Sequence, residues 1–248
     1  AIALETDIAI SNSLKTVEEL SSYASVVNAE KENMGEIFSI VLSARPDVNL
    51  VYRLDASGIM LYHYPTGPSS TVGDDFSFRS YYQNALTSNI PLISEGRISP
   101  TTNQAVTTAV MPIHSSSGEF LGLVGTNITL ESLSSTLSAI ISEHEAEEGF
   151  EILILDASGQ VIAHPESAFL LKPANEILPH STRLLRYASP APRPIDSTPL
   201  RLRNPPRLAN APSSDMFDAP RSHSHVPVCT PSSVAFVTNT PSFKCTSS

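Results

Sequence analysis

The stretch NLVYRLDASGIMLYHYP, residues Asn49 to Pro65, returns 101 residues later as FEILILDASGQVIAHPE, residues Phe150 to Glu166. Each copy has an apolar run, the turn Asp-Ala-Ser-Gly, a second run, and a His eight residues beyond the Asp: Asp55 with His63, Asp156 with His164. An Asp in such a turn accepts hydrogen bonds from the backbone just after it, and the Gly accepts a positive φ, so each copy reads as a β-hairpin. One copy is a common device. Two at a single offset predict two sequential modules of one topology.

Outward from the first hairpin, residues 5–44 read as helix. Leu14, Val17, Leu20, Ala24 and Val27, then Met34, Ile37, Phe38, Val41 and Leu42, recur at three- and four-residue spacing, with a polar break at Asn28 to Asn33 and a stop at Pro46. After the hairpin come IPLISEG, AVTTAVMPI, SSSGEF and LGLVGTNITL, short β-type runs divided by turn signals, and then a helical stretch from Leu130 to Glu148 with Leu133, Leu137, Ile140 and Ile141 on one face. The acidic run from Glu143 to Glu148 reads as a solvated helix end.

Composition divides the chain near Lys172. All 10 Gly lie at or before Gly159 and 14 of the 20 Pro at or after Pro165; Lys+Arg against Asp+Glu is 6 to 21 before Lys172 and 9 to 4 from it onward. Such a Pro-, Ser- and Arg-rich tail buries too little apolar surface to offset chain entropy, so residues 173–248 are expected to be disordered. The abrupt change is also what a shifted reading frame of a GC-rich gene produces, and a genuine Pro-rich tail is the alternative. A net charge of −10 with no basic stripe argues against nucleic acid. No run approaches the roughly 18 apolar residues of a membrane span. The chain starts at Ala1 rather than Met and is read as a piece whose anchoring segments lie elsewhere.

The wording and order of VYRLDASG (51–58), VGDDFSFRSYYQNAL (72–86), TTAVMPI, GEFLGLVGTNITLESL and ILDASGQVIAHP (154–165) resemble a double Cache sensor domain of prokaryotic transmembrane receptors, of the chemoreceptor and sensor histidine kinase type. The resemblance covers residues 4–172. It implies an α+β fold: a long N-terminal helix (1–45), a membrane-distal PAS-like antiparallel sheet module (46–148), a second, incomplete PAS-like module (149–172) and the tail (173–248). It implies a small-molecule ligand, no cofactor and no catalysis. In the amino-acid-binding branch an Arg-x-Trp-Tyr motif grips the ligand carboxylate and a later Asp receives its ammonium. Here Arg79-Ser80-Tyr81-Tyr82 occupies the motif, with Tyr81 in place of Trp, Asp74 where that branch has an earlier Tyr, and Asn127 in place of the Asp. The resemblance therefore makes Arg79, Tyr81, Tyr82, Asn127 and Asp74 the ligand residues. Loss of the acceptor charge at 127 favours a carboxylate-bearing ligand without an ammonium, though Asn127 can still accept a hydrogen bond.

Plainer readings stand beside these. Arg79 can pair with Asp74 or Asp75 as a surface residue, one of the two tyrosines can be core, and the Asn127-Ile-Thr sequon reads as chance within a strand. His63 and His164 read as shared strand architecture rather than metal ligands, because no partner sits at ligand spacing. His223, His225, Cys229 and Cys245 fall in the tail, where metal affinity would be incidental and a disulfide would staple little. No catalytic signature is present. The rival function is a secreted or periplasmic binding protein without signalling output; an enzyme is a third. A homodimer through the helix face of Leu14, Val17 and Ala24 competes with core packing of that same face.

Overall fold

The computed structural model describes residues 2–67, 69–143, 150–177, 183–188 and 232–238. The N-terminal apolar periodicity becomes three helices, α1 (Ile2–Ser22), α2 (Ala24–Val27) and α3 (Lys31–Ala44). The polar break expected near Asn28 is real: Ala29 there takes φ 57, a left-handed conformation that no helix continues through. Helix α3 ends at Ala44 because Arg45 precedes Pro46 and is driven out of the helical region, to φ −126 and ψ 84.

Strands β1 (Val48–Leu54), β2 (Met60–Tyr64), β3 (Leu92–Ile93), β4 (Arg97–Ile98), β5 (Ala105–His114) and β6 (Phe120–Thr129), with the short helix α4 (Ser80–Ala85), form the first module. Its sheet runs β2-β1-β6-β5-β3, with β4 also paired to β5, and every described pairing is antiparallel. The strands β1, β5 and β6 are buried on both faces, which is why they read as near-continuous apolar runs. On one face, α3 packs Met34 and Phe38 against Val48, Val51 and Val124, and α1 packs Val17 against Ala109 and Ile128. The helix face of Leu14 and Val17, a candidate dimer contact from sequence, is thus covered by the chain's own sheet, while Ala24 is exposed. Of the two readings of that face, core packing accounts for Leu14 and Val17.

The other face of the sheet carries Leu50, Tyr52 and Leu54 of β1. Register puts Leu50 opposite Asn127 and Tyr52 opposite Gly125, and these two face Thr108 and Val110 of β5. Directly opposed residues share a face, so Tyr52, Thr108 and Asn127 lie on one surface, and α4 covers it with Tyr81, Tyr82 and Ala85.

Both DASG turns form as the repeat requires. Asp55 Oδ1 accepts from Ser57 N (2.8 Å) and Ile59 N (2.9 Å), and Asp156 Oδ1 from Ser158 N (2.9 Å) and Gln160 N (3.0 Å), with Gly58 at φ 84 and Gly159 at φ 85. Helix α5 (Leu130–Glu143) follows β6; residues 144–149 of the acidic run lie outside the described residues. Its apolar face serves the second module: Leu130, Leu133 and Leu137 pack on Ile152, Ile154 and Ile162 of β7 (Phe150–Asp156) and β8 (Val161–Ala163).

The second module is larger than its first hairpin. Beyond β8 come α6 (Ala174–Ile177), β9 (Arg183–Ala188) and β10 (Ser232–Thr238), and the second sheet runs β8-β7-β10-β9. Within the stretch expected to be patternless, the described residues include this short helix and two strands; the rest of 178–248 lies outside the described residues. The runs RLLRYA and SSVAFVT are short and separated by over 40 residues of Pro-rich sequence, so composition masked them. His223, His225, Cys229 and Cys245 lie outside the described residues.

Candidate functional site

Where the α4 face of the first sheet meets the hairpin of the second module, there is an open cavity of about 410 Å³. Phe78, Arg79, Ser80 and Tyr81 come to it from the start of α4, Ser94 to Arg97 from the β3–β4 segment, and Ser158 and Gln160 from the second DASG turn. Gly96 makes this meeting possible. A Cβ on it would lie 2.8 Å from both Ile162 Cγ2 and Leu171 Cδ2, and its N–H donates to Asp156 Oδ2 over 2.8 Å.

Arg79 immediately precedes α4 in extended backbone, φ −73 and ψ 139. Its guanidinium lies 4.8 Å from the Phe78 ring centroid, and its Nε is buried without a hydrogen-bond partner among the described residues. An orphaned buried donor of this kind costs free energy comparable to a lost hydrogen bond. The pairing of Arg79 with Asp74 or Asp75 considered from sequence is not made; the ion pairs among the described residues are Lys15–Glu19 and Arg45–Asp47.

A second guanidinium, Arg97, was passed over by sequence reasoning. It stacks on the Tyr81 ring at 5.0 Å and donates to Ser94 Oγ (3.1 Å) and Asn127 Oδ1 (3.4 Å). Asn127 is engaged at both ends of its amide: Oδ1 also accepts from Thr108 Oγ1 (2.7 Å), and Nδ2 donates to Ser99 Oγ (3.2 Å). Asn127 thus stands behind Arg97 rather than lining the cavity, and it is a neutral support for that cation. Tyr52 lies beneath, its Oη buried with no partner at hydrogen-bond geometry and with Tyr81 and Thr108 as polar neighbours. Burial, and next the Tyr81 hydroxyl, push the Tyr52 phenol well above its ordinary range, against the opposing pull of Arg97. Burial likewise raises the Tyr81 phenol, with Arg97 and Arg79 opposing.

Of the five sequence candidates, the structure brings Arg79 and Tyr81 to the cavity wall and puts Asn127 one layer behind it. Tyr82 turns the other way: its Oη donates to Ala56 O over 2.7 Å and its ring meets Phe120 edge-on. Asp74 is exposed in the turn that pairs with Met60, away from the cavity. A lone Arg in the polar stretch SEGRISP carries no pattern, so only the folded register could reveal Arg97.

The remaining polar features are architectural. His63 Nε2 accepts from Thr71 N (3.2 Å), which leaves Nδ1–H to donate to Pro65 O (3.0 Å), and His164 Nδ1 accepts from Glu166 N (2.9 Å); each ring ties the chain just after its hairpin. Among the described residues, no group of three or more His, Cys, Asp or Glu could hold a metal ion, and no helix is long and apolar enough to cross a membrane.

A family model described as the Cache domain matches residues 5–193. Among solved structures, the ligand-binding domain of the Pseudomonas fluorescens chemoreceptor CtaA in complex with L-serine is 16% identical, covers 96% of this chain and 93% of that one, and superposes with a TM-score of 0.63. The same domain in complex with L-alanine is 22% identical over 72% of this chain and 73% of that one, TM-score 0.58. The ligand-binding domain of the amino acid chemoreceptor PctC of Pseudomonas aeruginosa PAO1, in complex with GABA, is 20% identical over 72% and 78%, TM-score 0.54. A search of curated proteins finds no match. At these identities the solved structures share the fold with this chain.

Proposed function

This chain belongs to the Cache domain family, and on that premise we propose that it is the extracytoplasmic sensing domain of a transmembrane receptor, binding a small carboxylate-bearing molecule without transforming it. The site is the cavity between the first sheet and the second DASG hairpin. One observation carries the reading: Arg79 reaches that cavity with a buried Nε that no group among the described residues satisfies. A carboxylate can take such a guanidinium edge-on through two parallel hydrogen bonds, which is the pairing the fork geometry favours. The structural neighbours support it by analogy, since they are chemoreceptor ligand-binding domains solved with L-serine, L-alanine and GABA.

In the receptor, ligand would favour one of two arrangements of the first module, and the shift passed on can be no larger than the difference in its affinity for the two. The test is a thermal-shift screen of the chain against organic acids, amino acids, polyamines and purines, repeated with Arg79→Ala. A ligand at 100 times its Kd adds about 2.7 kcal/mol. A shift given by carboxylates and abolished by the substitution supports the reading; a cooperative melt that no carboxylate moves overturns it.

A further inference from the structure

Two arginines among the described residues are fully partnered, each in its own way. Arg45 is bidentate to Asp47, with Nε at 2.9 Å and Nη2 at 2.6 Å from its two oxygens. Arg53, 1% exposed, has no carboxylate partner, but Nε donates to Val26 O (3.0 Å), Nη2 to Leu121 O (2.9 Å), and Nη1 to the carbonyls of Leu54 and Leu123. Arg45 and Arg53 are thus saturated, one chiefly by a carboxylate and the other by carbonyls. Arg79 and Arg97 follow neither pattern. Arg79 makes no hydrogen bond through its guanidinium to the described residues, and Arg97 meets neutral oxygens, those of Ser94 and Asn127 with the Tyr81 hydroxyl beside it, and forms no ion pair with a carboxylate among the described residues.

Both unsaturated cations line the same cavity; the side chains that Arg97 rests on are neutral, Ser94 and Asn127 with Ser99 and Thr108 behind, while the buried carboxylate of Asp156 is taken up by the backbone N–H groups of Gly96, Ser158 and Gln160. The single carboxylate on the cavity wall, Glu95, is exposed at the rim and accepts from Ser80 Oγ at 2.7 Å. Partly buried cations without counter-charge are stabilised by any anion that enters, and two of them favour two anionic groups. An ammonium placed against Arg97 would meet a like charge, which is unfavourable.

We propose that the ligand is a small dicarboxylate without an ammonium group, one carboxylate held by Arg79 and the other by Arg97 above Tyr81. This deepens the proposed sensing role and rests on it. Arg97 is then the residue that sets specificity, because it stands where an amino-acid ligand would need a negative group.

The test is isothermal titration of the full chain with malonate, succinate, glutarate and adipate, with butyrate as the one-carboxylate comparison and L-alanine and L-glutamate as the ammonium-bearing ones. One of the dicarboxylates is expected to bind at least tenfold tighter than butyrate or either amino acid. In Arg97→Gln, that dicarboxylate should weaken by about 10- to 100-fold, the worth of one charge-assisted contact, while butyrate changes little. If butyrate or L-alanine binds as well as every dicarboxylate, the dicarboxylate assignment falls and the sensing role stands. If no carboxylate binds at all, both fall. The comparison within the unsubstituted chain decides the matter even where Arg97→Gln melts early.

Discussion

The backbone N–H of Gly96 donates to the carboxylate of Asp156 over 2.8 Å, joining the segment that carries Arg97 to the turn of the second hairpin. Asp55, the counterpart of Asp156 in the first hairpin, makes only its local turn bonds and is half-buried, whereas Asp156 is buried and also accepts from Ser158 Oγ. The two turns share one sequence and differ in what they hold. Replacing each Asp by Ala should therefore give unequal losses: about 1 kcal/mol for Asp55→Ala, and at least about 2 kcal/mol for Asp156→Ala, which leaves a buried N–H orphaned. Urea midpoints of the two variants measure this, and equal losses would show that the contact to Gly96 contributes nothing.

Gly96→Ala probes the same junction sterically. Its methyl would stand 2.8 Å from Ile162 Cγ2 and Leu171 Cδ2, and only the leucine end can swing aside. Overpacking of this kind costs about 1–3 kcal/mol. Chemical denaturation gives the number, and a stability unchanged from the parent chain would mean that the two modules separate there at little cost.

Asn127→Asp puts a carboxylate where Oδ1 now lies 3.4 Å from Arg97 Nη2. The buried pair so formed neutralises the cation from behind, so carboxylate binding should weaken by about tenfold, the order of one partly shielded charge contact. Calorimetric titration reads it. Tighter binding of an acidic ligand in this variant would rule out an electrostatic role for Arg97.

Tyr82→Phe removes the donor to Ala56 O and should lower stability by about 1 kcal/mol with ligand affinity unchanged. Tyr81→Phe should do the reverse if its hydroxyl faces the bound molecule. The contrast between neighbouring tyrosines, one anchoring a turn and one walling a cavity, is checked by running melts and titrations on both.

Alkaline pH has a definite sign here. Burial raises the folded-state phenols of Tyr52, Tyr81 and Tyr82 above the ordinary value near 10. The folded state then binds more protons than the unfolded one above that pH, so stability is full below about pH 10 and declines as pH rises beyond it. Absorbance titration near 295 nm should show these three phenols ionising late or only on unfolding; complete ionisation of all seven tyrosines in a chain still folded would contradict the burial assigned to them.

Much of this architecture is legible in the residues themselves. The DASG repeat announces both hairpins, the periodicity of Val17, Leu20, Met34 and Phe38 announces the helices that cover the first sheet, and Pro46 announces where they stop. The site is legible only in part. Arg79 and Tyr81 sit in one local motif at a helix start and can be found together, whereas Arg97 joins them solely because β4 pairs with β5 in a register that sets it opposite Val106, beside Thr108. Tyr82 is adjacent to Tyr81 in sequence, but on a helix adjacent side chains diverge, and this one is spent on a carbonyl of the first DASG turn. The strands β9 and β10 escaped because pairing across so long a separation leaves no local trace.

Ser158 and Gln160 belong to the second DASG turn, yet they wall the same cavity as Arg79 and Arg97. Anything that occupies the cavity and touches both sides is bound more tightly when the hairpin is seated than when it is displaced. By thermodynamic reciprocity, occupancy then strengthens the seating of the hairpin by the same factor. The affinity of the site and the cohesion of the two sheets are one quantity measured in two ways.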